Sequence, residues 1–175
     1  MSIRPSILAA TGATLAVVAF DQITKAVVAA ELGPQEEVRL WFGVRLVRVA
    51  NRGMAFSVGN GGGAWRVAVI AVVLLALLAW VGRRELARPA DDSRAPSVGQ
   101  AITFGVLFGG AMGNVIDRLI RAPGWGRGAV VDFVDVGFWP VFNVADAALT
   151  CGCIAFAVLS WRRARLPPGD RTITA

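Results

Sequence analysis

Long apolar runs separated by short polar stretches dominate the chain. Four of them approach the roughly 20 residues that a membrane-crossing helix needs. The first runs from Ile7 to Ala30, uncharged to Phe20 and then carrying Asp21 and Lys25. The second, Trp65 to Gly82, has no acid and only Arg66 at its start. The third, Val98 to Ile116, has Gln100 and Asn114 as its polar members, and the fourth, Val141 to Trp161, has Asn143 and Asp146 near its start. The pattern predicts an all-α integral membrane protein of four transmembrane helices, one domain over residues 1–166, with a Pro-rich polar tail at 167–175 expected to be disordered. A secretory signal peptide is the competing reading of the first run. The apolar character continues past Asp21 and Lys25, however, and no cleavage site stands out.

Between the first two spans the pattern changes. Glu36 to Ala50 reads EEVRLWFGVRLVRVA, with apolar residues partly alternating with arginine and Gly43 offering a turn. This predicts a short hairpin on the outer side. In the third span Gly105, Gly109 and Gly113 recur every four residues and line one helical face, a seam for close packing that needs no function.

Four spans put both termini on one side, together with the Arg83–Pro96 loop. Arginine pairs at helix ends, Arg83-Arg84 and Arg162-Arg163, favour the cytoplasm for that side. Asp21, Lys25, Asn51, Asn114, Asp117, Arg118, Asp132, Asp135, Asn143 and Asp146 then all fall toward the outer face. Ionisable groups inside a span are costly and mark function or a paired partner. Several elements delivering them to one depth constitutes a candidate site.

Composition narrows the chemistry. The 175 residues include 12 acids, two cysteines and no histidine, with a net charge of +6 and 17% charged residues against about 25% in soluble domains. Without histidine there is no Ser-His-Asp or Cys-His catalysis, and two cysteines cannot build a four-thiolate metal site or a disulfide framework. No metal or cofactor is called for. The basic residues sit between apolar blocks rather than along one face, which excludes nucleic acid as partner. Cys151 and Cys153 are about 200° apart around a helix, cannot bridge each other, and are expected to pack in the core.

Asp21 and Lys25 share a helical face. An ion pair or strut is the favoured reading; a catalytic lysine is the sharper one, because Lys25 is the only lysine. Asp146 falls at the start of the fourth span, where a helix N-terminus suits a carboxylate. Asp132 sits in the apolar stretch AVVDFVDV. Two carboxyls in a partly desolvated place share a proton, one acting as base on water and the other as donor to a carbonyl. For any one aspartate a helix cap or a partner for Arg118 carries equal weight.

In order along the chain, DQITK (Asp21–Lys25), NRGMAFS (Asn51–Ser57), GGAMGNVIDR (Gly109–Arg118), VVDF (Val130–Phe133) and FNVADA (Phe142–Ala147) resemble the motifs of the bacterial lipoprotein signal peptidases, or signal peptidase II. The resemblance covers nearly the whole chain. It implies that Asp132 and Asp146 are the catalytic pair. It marks Asp21, Lys25, Asn51, Gly53, Gly110, Asn114, Arg118, Asn143 and Ala145 as positions around the site, with Asp117 in support. It also implies the substrate, a prolipoprotein carrying diacylglycerol on a cysteine and cut just before that cysteine, and an enzyme of the bacterial cell membrane in contact with its lipid; function as a monomer is a separate expectation. Met54 stands where the family has Ala, and Ala147 where Ser is common. Asp135 reads as a solvated loop acid. Asn51 and Arg118 read as donors to substrate or lipid head region, and Asn143 as a holder of a neighbouring carboxylate. Other classes remain: a Ser-Lys peptidase using Ser57 and Lys25, a small proton-coupled carrier, or a structural assembly factor docking through the glycine seam.

Overall fold

A computed structural model describes residues 4–33, 36–53, 64–89, 92 and 95–165. Its helices are α1 (Pro5–Glu31), α2 (Ala64–Leu86), α3 (Val98–Ile120) and α4 (Val144–Arg165), and its strands β1 (Glu37–Arg39), β2 (Arg45–Asn51) and β3 (Val130–Asp135). All four helices are long and apolar enough to cross a membrane. Several outrun the apolar stretches that announce them. α2 and α4 continue through Arg83-Arg84 and Arg162-Arg163, since arginine is a good helix former whose long stem reaches polar surroundings. There Arg84 stacks on Trp80 at 4.1 Å and Arg165 on Trp161 at 4.0 Å. α4 begins later than its apolar run because Phe142 pairs with Val134 of β3 instead, Val134 N–H donating to the Phe142 carbonyl at 2.8 Å.

α3 is the central helix: 56% of its apolar stretch is buried, against 11% for α1 and α4 and 17% for α2. The glycine seam explains how. A Cβ on Gly105 would collide with the backbone of Ala10, one on Gly109 would lie 2.9 Å from the Thr14 carbonyl, and one on Gly113 2.5 Å from Asp21 Oδ2. Gly110 serves the opposite neighbour, its missing Cβ lying 2.7 Å from the Ala145 carbonyl of α4. α3 starts with a reciprocal cap: Ser97 Oγ accepts the Gln100 N–H at 3.2 Å, and Gln100 Oε1 accepts the Ser97 N–H at 3.1 Å.

The expected hairpin is present, β1 and β2 joined through a single 3₁₀ turn at Trp41–Gly43 in which Gly43 takes φ 76°. The sheet is larger than expected, however. β3, from the α3–α4 connection, adds antiparallel to β2 to give the order β1-β2-β3. Leu46 pairs with Val134 and Val49 with Asp132, so β2 spends one more residue than β3 between these pairs. Val28 of α1 and Leu32 just past its end pack with Val131 and Phe133, seating the sheet on the end of α1. Arg48 donates to the Ala29 and Leu32 carbonyls at 3.0 and 3.2 Å, where a cation suits a helix C-terminus.

Two expectations need correction. Cys151 and Cys153 are exposed rather than in the core, because α4 turns Gly152 toward Leu107 of α3 and leaves the flanking thiols facing out. Asp135 is not a solvated loop acid: it ends β3 and holds Arg45 at 2.6 Å. Ser57, Met54 and the 167–175 tail lie outside the described residues.

Candidate active site

Two linked polar clusters lie where the ends of α1 and α3, the start of α4 and the sheet meet. The first is built on Lys25, which is fully buried. Its ammonium lies 2.8 Å from Asp21 Oδ2, 2.8 Å from Asp117 Oδ2 and 3.1 Å from Asn114 Oδ1, so three acceptors meet its three donors. Gln22 donates to Asp21, Asp117 and the Gly113 carbonyl, and Arg121 holds Asp117 at 2.7 Å. Asp21 also reaches α4, its Oδ1 accepting the Ala145 N–H at 2.9 Å. The charges are thereby paired and hydrogen-bonded, as burial requires.

The second cluster holds Asp132 and Asp146. Local folding of α4 places the latter. Asn143 Oδ1 accepts the Asp146 N–H at 3.0 Å, and Asp146 Oδ2 accepts the Asn143 N–H at 3.2 Å, a reciprocal cap that starts the helix and fixes the carboxylate. The Asn143 amide also donates to Asp132 Oδ1 at 2.6 Å. One asparagine therefore holds both acids. Asp146 Oδ1 takes a further bond from Asn114 Nδ2 at 2.8 Å.

Asp132 comes from the sheet, and its second oxygen accepts from Asn51 Nδ2 at 2.9 Å. Opposed residues of an antiparallel pair share a face, as do residues two apart on one strand. Val49 opposes Asp132, so Asn51 lies on the same face as Asp132 and diagonal to it. The extra residue between Leu46 and Val49 makes this so; with regular pairing from Leu46 the two side chains would take opposite faces. Burial pushes the Asp132 carboxyl up from 3.8 to about 6. The hydrogen bond from Asn51 works against that shift, and the neighbouring Asp146 charge works with it.

Asn51, Asn114, Arg118, Asp132 and Asp146 form the polar end of a cavity of about 530 Å³. Its apolar wall runs down α2 through Val67, Ile70, Ala71, Leu74 and Leu78, faced by Leu149 of α4. The site is thus amphipathic, with carboxyls at one end and a greasy groove below.

Every residue expected around the site lies in or against these clusters. Gly53 accepts at its carbonyl from Arg118 at 2.7 Å, and its N–H donates to Asn51 Oδ1 at 2.9 Å. Arg118 and Asn51, expected as donors to substrate or lipid head region, line the cavity and also make bonds within the chain. Asn143 holds a neighbouring carboxylate as expected. Asp117 supports Lys25 and β3, where it accepts the Val131 N–H at 3.3 Å. Sequence reasoning missed Gln22 and Arg121. Gln22 lies inside DQITK, one residue from a buried acid, and Arg121 is one helical turn beyond Asp117; both spacings were legible.

The family described as Signal peptidase (SPase) II matches residues 13–162. The chain belongs to the signal peptidase II family. It is 41% identical over 145 residues to a lipoprotein signal peptidase of Mycobacterium avium, covering 82% of this chain and 74% of that one. It is 41% identical over 147 residues to one of Rhodococcus jostii, covering 82% and 68%. Two solved structures described as bacterial membrane enzymes have the same fold. One, at 2.3 Å, gives a TM-score of 0.68 with 26% identity over 91% of this chain and 89% of the other. The second, at 1.9 Å, gives 0.67 with 28% identity over 89% and 91%. A signal peptidase II is a peptidase, and the four apolar helices make this one a multi-pass membrane protein.

Proposed function

We propose that the chain removes the signal peptide from diacylglyceryl-modified prolipoproteins, cutting the bond just before the lipidated cysteine, with Asp132 and Asp146 as the catalytic acids. The observation that carries this reading is the bridging of both carboxyls by Asn143 at the polar end of an otherwise apolar cavity.

The chemistry follows from the two environments. Burial keeps the proton on Asp132 at a pH where an ordinary aspartate has lost it. Asp146, with an N–H donor on each oxygen, takes a proton from water, and the water oxygen bonds to the scissile carbonyl carbon. Asp132 gives its proton to the carbonyl oxygen, forming a neutral diol. As the diol collapses, the carbon–nitrogen bond breaks. The proton on Asp146 passes to the leaving amine and a hydroxyl proton returns to Asp132. The products are the signal peptide with a free carboxyl end and a lipidated cysteine with a free amine. The apolar wall along α2 suits an acyl chain or a hydrophobic signal segment. The enzyme acts as a monomer within one domain, both termini in the cytoplasm and the sheet on the outer side, in keeping with the arginine pairs at the far helix ends.

The Ser-Lys alternative is disfavoured by Lys25, whose three donors are engaged and whose surroundings exclude solvent. The deciding experiment compares lipidated and unlipidated precursor for the wild type, Asp132→Asn and Asp146→Asn. Both variants are expected to insert normally and to lose cleavage of the lipidated precursor. Near-normal turnover by either would remove that aspartate from the mechanism.

A further inference from the structure

Lys25 does not touch either proposed catalytic carboxyl, yet one side chain links it to both. Asn114 Oδ1 accepts from Lys25 Nζ at 3.1 Å and from Asn143 Nδ2 at 3.3 Å, while Asn114 Nδ2 donates to Asp146 Oδ1 at 2.8 Å. An asparagine amide has two nearly isosteric orientations, and its hydrogen-bond partners choose between them. Here both partners on one side are donors and the partner on the other is a carboxylate. Rotation of the amide by half a turn would set its NH₂ against an ammonium and a second NH₂, and its oxygen against Asp146. We infer that Lys25 is a positioning residue for the hydrolysis: its buried ammonium locks the Asn114 amide with its N–H toward Asp146.

The arrangement explains why a lone lysine is buried among so many partners. An ammonium cannot be reversed, having donors only. Asp21 and Asp117, in turn, hold that ammonium at fixed distances; the Ala145 N–H occupies the other oxygen of Asp21, and Gln22 and Arg121 the other oxygen of Asp117. The cluster thus passes polarity one way, from an ammonium through an amide dipole to a carboxylate. Asn143 supports the same orientation, since its own amide is set by the Asp146 backbone N–H on its oxygen. Of the two donors facing Asn114 Oδ1, Lys25 carries the charge and makes the shorter bond.

This inference rests on the dyad reading, and a double-mutant cycle separates the two. Lys25→Met is expected to lower kcat by about 10–100-fold, as loss of a supporting hydrogen bond does, with KM within about twofold of wild type. In an Asn114→Ala background the same change should cost less than about threefold, because Lys25 then has no amide to orient. An equal loss in both backgrounds would reduce Lys25 to a structural strut and overturn the inference, while loss of cleavage in Asp132→Asn would still support the dyad. Should Lys25→Met fail to fold, Lys25→Gln, which keeps a neutral donor, takes its place in the cycle.

A second readout needs no turnover. The side-chain amide of Asn114, assigned by its absence from the Asn114→Ala spectrum, should give one sharp pair of proton–nitrogen resonances in the detergent-solubilised wild type. In Lys25→Met or Lys25→Gln the pair should shift and broaden. An unchanged pair would overturn the inference.

Discussion

The Asp21 carboxylate on α1 accepts the backbone N–H of Ala145, 124 residues later, at 2.9 Å. A side chain of the first helix thereby caps the last, and the same carboxylate holds Lys25 at 2.8 Å. Its loss would leave a buried ammonium short of one acceptor and the start of α4 short of one cap. Asp21→Ala is expected to destabilise the protein by about 3–5 kcal/mol, as breaking buried ion pairs does. Thermal unfolding in detergent should fall by about 10 °C at 2–4 °C per kcal/mol. A change within experimental error would mean the bond to Ala145 is dispensable.

The seam between α1 and α3 makes a graded prediction. Gly105→Ala drives a methyl into the Ala10 backbone, which cannot yield without moving α1, whereas a methyl at Gly12 meets nothing within 4 Å. Gly105→Ala should cost at least the 1–3 kcal/mol or so of overpacking. Gly12→Ala should be neutral or stabilising by up to about 1 kcal/mol. Paired melting curves check the contrast, and equal effects would contradict the packing described.

Removing the Asn51 amide leaves one oxygen of Asp132 without its donor. That hydrogen bond lowers the Asp132 value, so its loss raises a carboxyl already pushed up to about 6. If the protonated form of Asp132 is the working one, kcat/KM falls as pH rises past about 6 in the wild type and at higher pH in Asn51→Ala. The variant should also lose activity by about 10–100-fold from poorer placement of the carboxyl. A descending limb that stays put would take Asp132 out of the proton-donor role.

Stability should carry the same signature. Asp132 is raised in the folded state, from 3.8 to about 6, so its protonated form favours folding. The contribution is complete below the ordinary value and gone once pH has risen through about 6. The stability of the wild type relative to Asp132→Asn should therefore drop by about 2 kcal/mol between about pH 4.5 and 7, at 1.36 kcal/mol per unit. Taking the difference removes Glu37, whose carboxyl the adjacent Arg39 holds below its usual range. A rising or flat difference would contradict the burial of Asp132.

Much of this was legible in the sequence because membrane burial sharpens the signal. Apolar runs long enough to span have few alternative readings, and a charge inside one needs a reason. Asp21, Lys25, Asn114 and Asp146 therefore stood out, as did the seam at Gly105, Gly109 and Gly113. What escaped was decided by pairing across distance. β3 could have been suspected from its β-branched residues, but nothing local says that VVDFVD lies beside β2. The intrachain acceptors of Asn51 and Arg118, Asp132 and the Gly53 carbonyl, become their neighbours only through folding. Cys151 and Cys153 looked like core residues because apolar surroundings in a membrane protein include lipid-facing surface.

The extra residue of β2 between Leu46 and Val49 gives the strand slack on one side of the site and none on the other. Losing one residue between Leu46 and Val49 would leave a regular ladder in which Asn51 still opposes Val130 and still shares the face of Asp132. Between Val49 and Asn51 the pairing has no residue to spare, and a gain or loss of one there, with the rest of the register kept, would send the asparagine to the far side of the sheet with every side chain still chemically intact. Length can therefore vary where the strand already bulges and not in the two steps that follow, a constraint on spacing rather than on residue type.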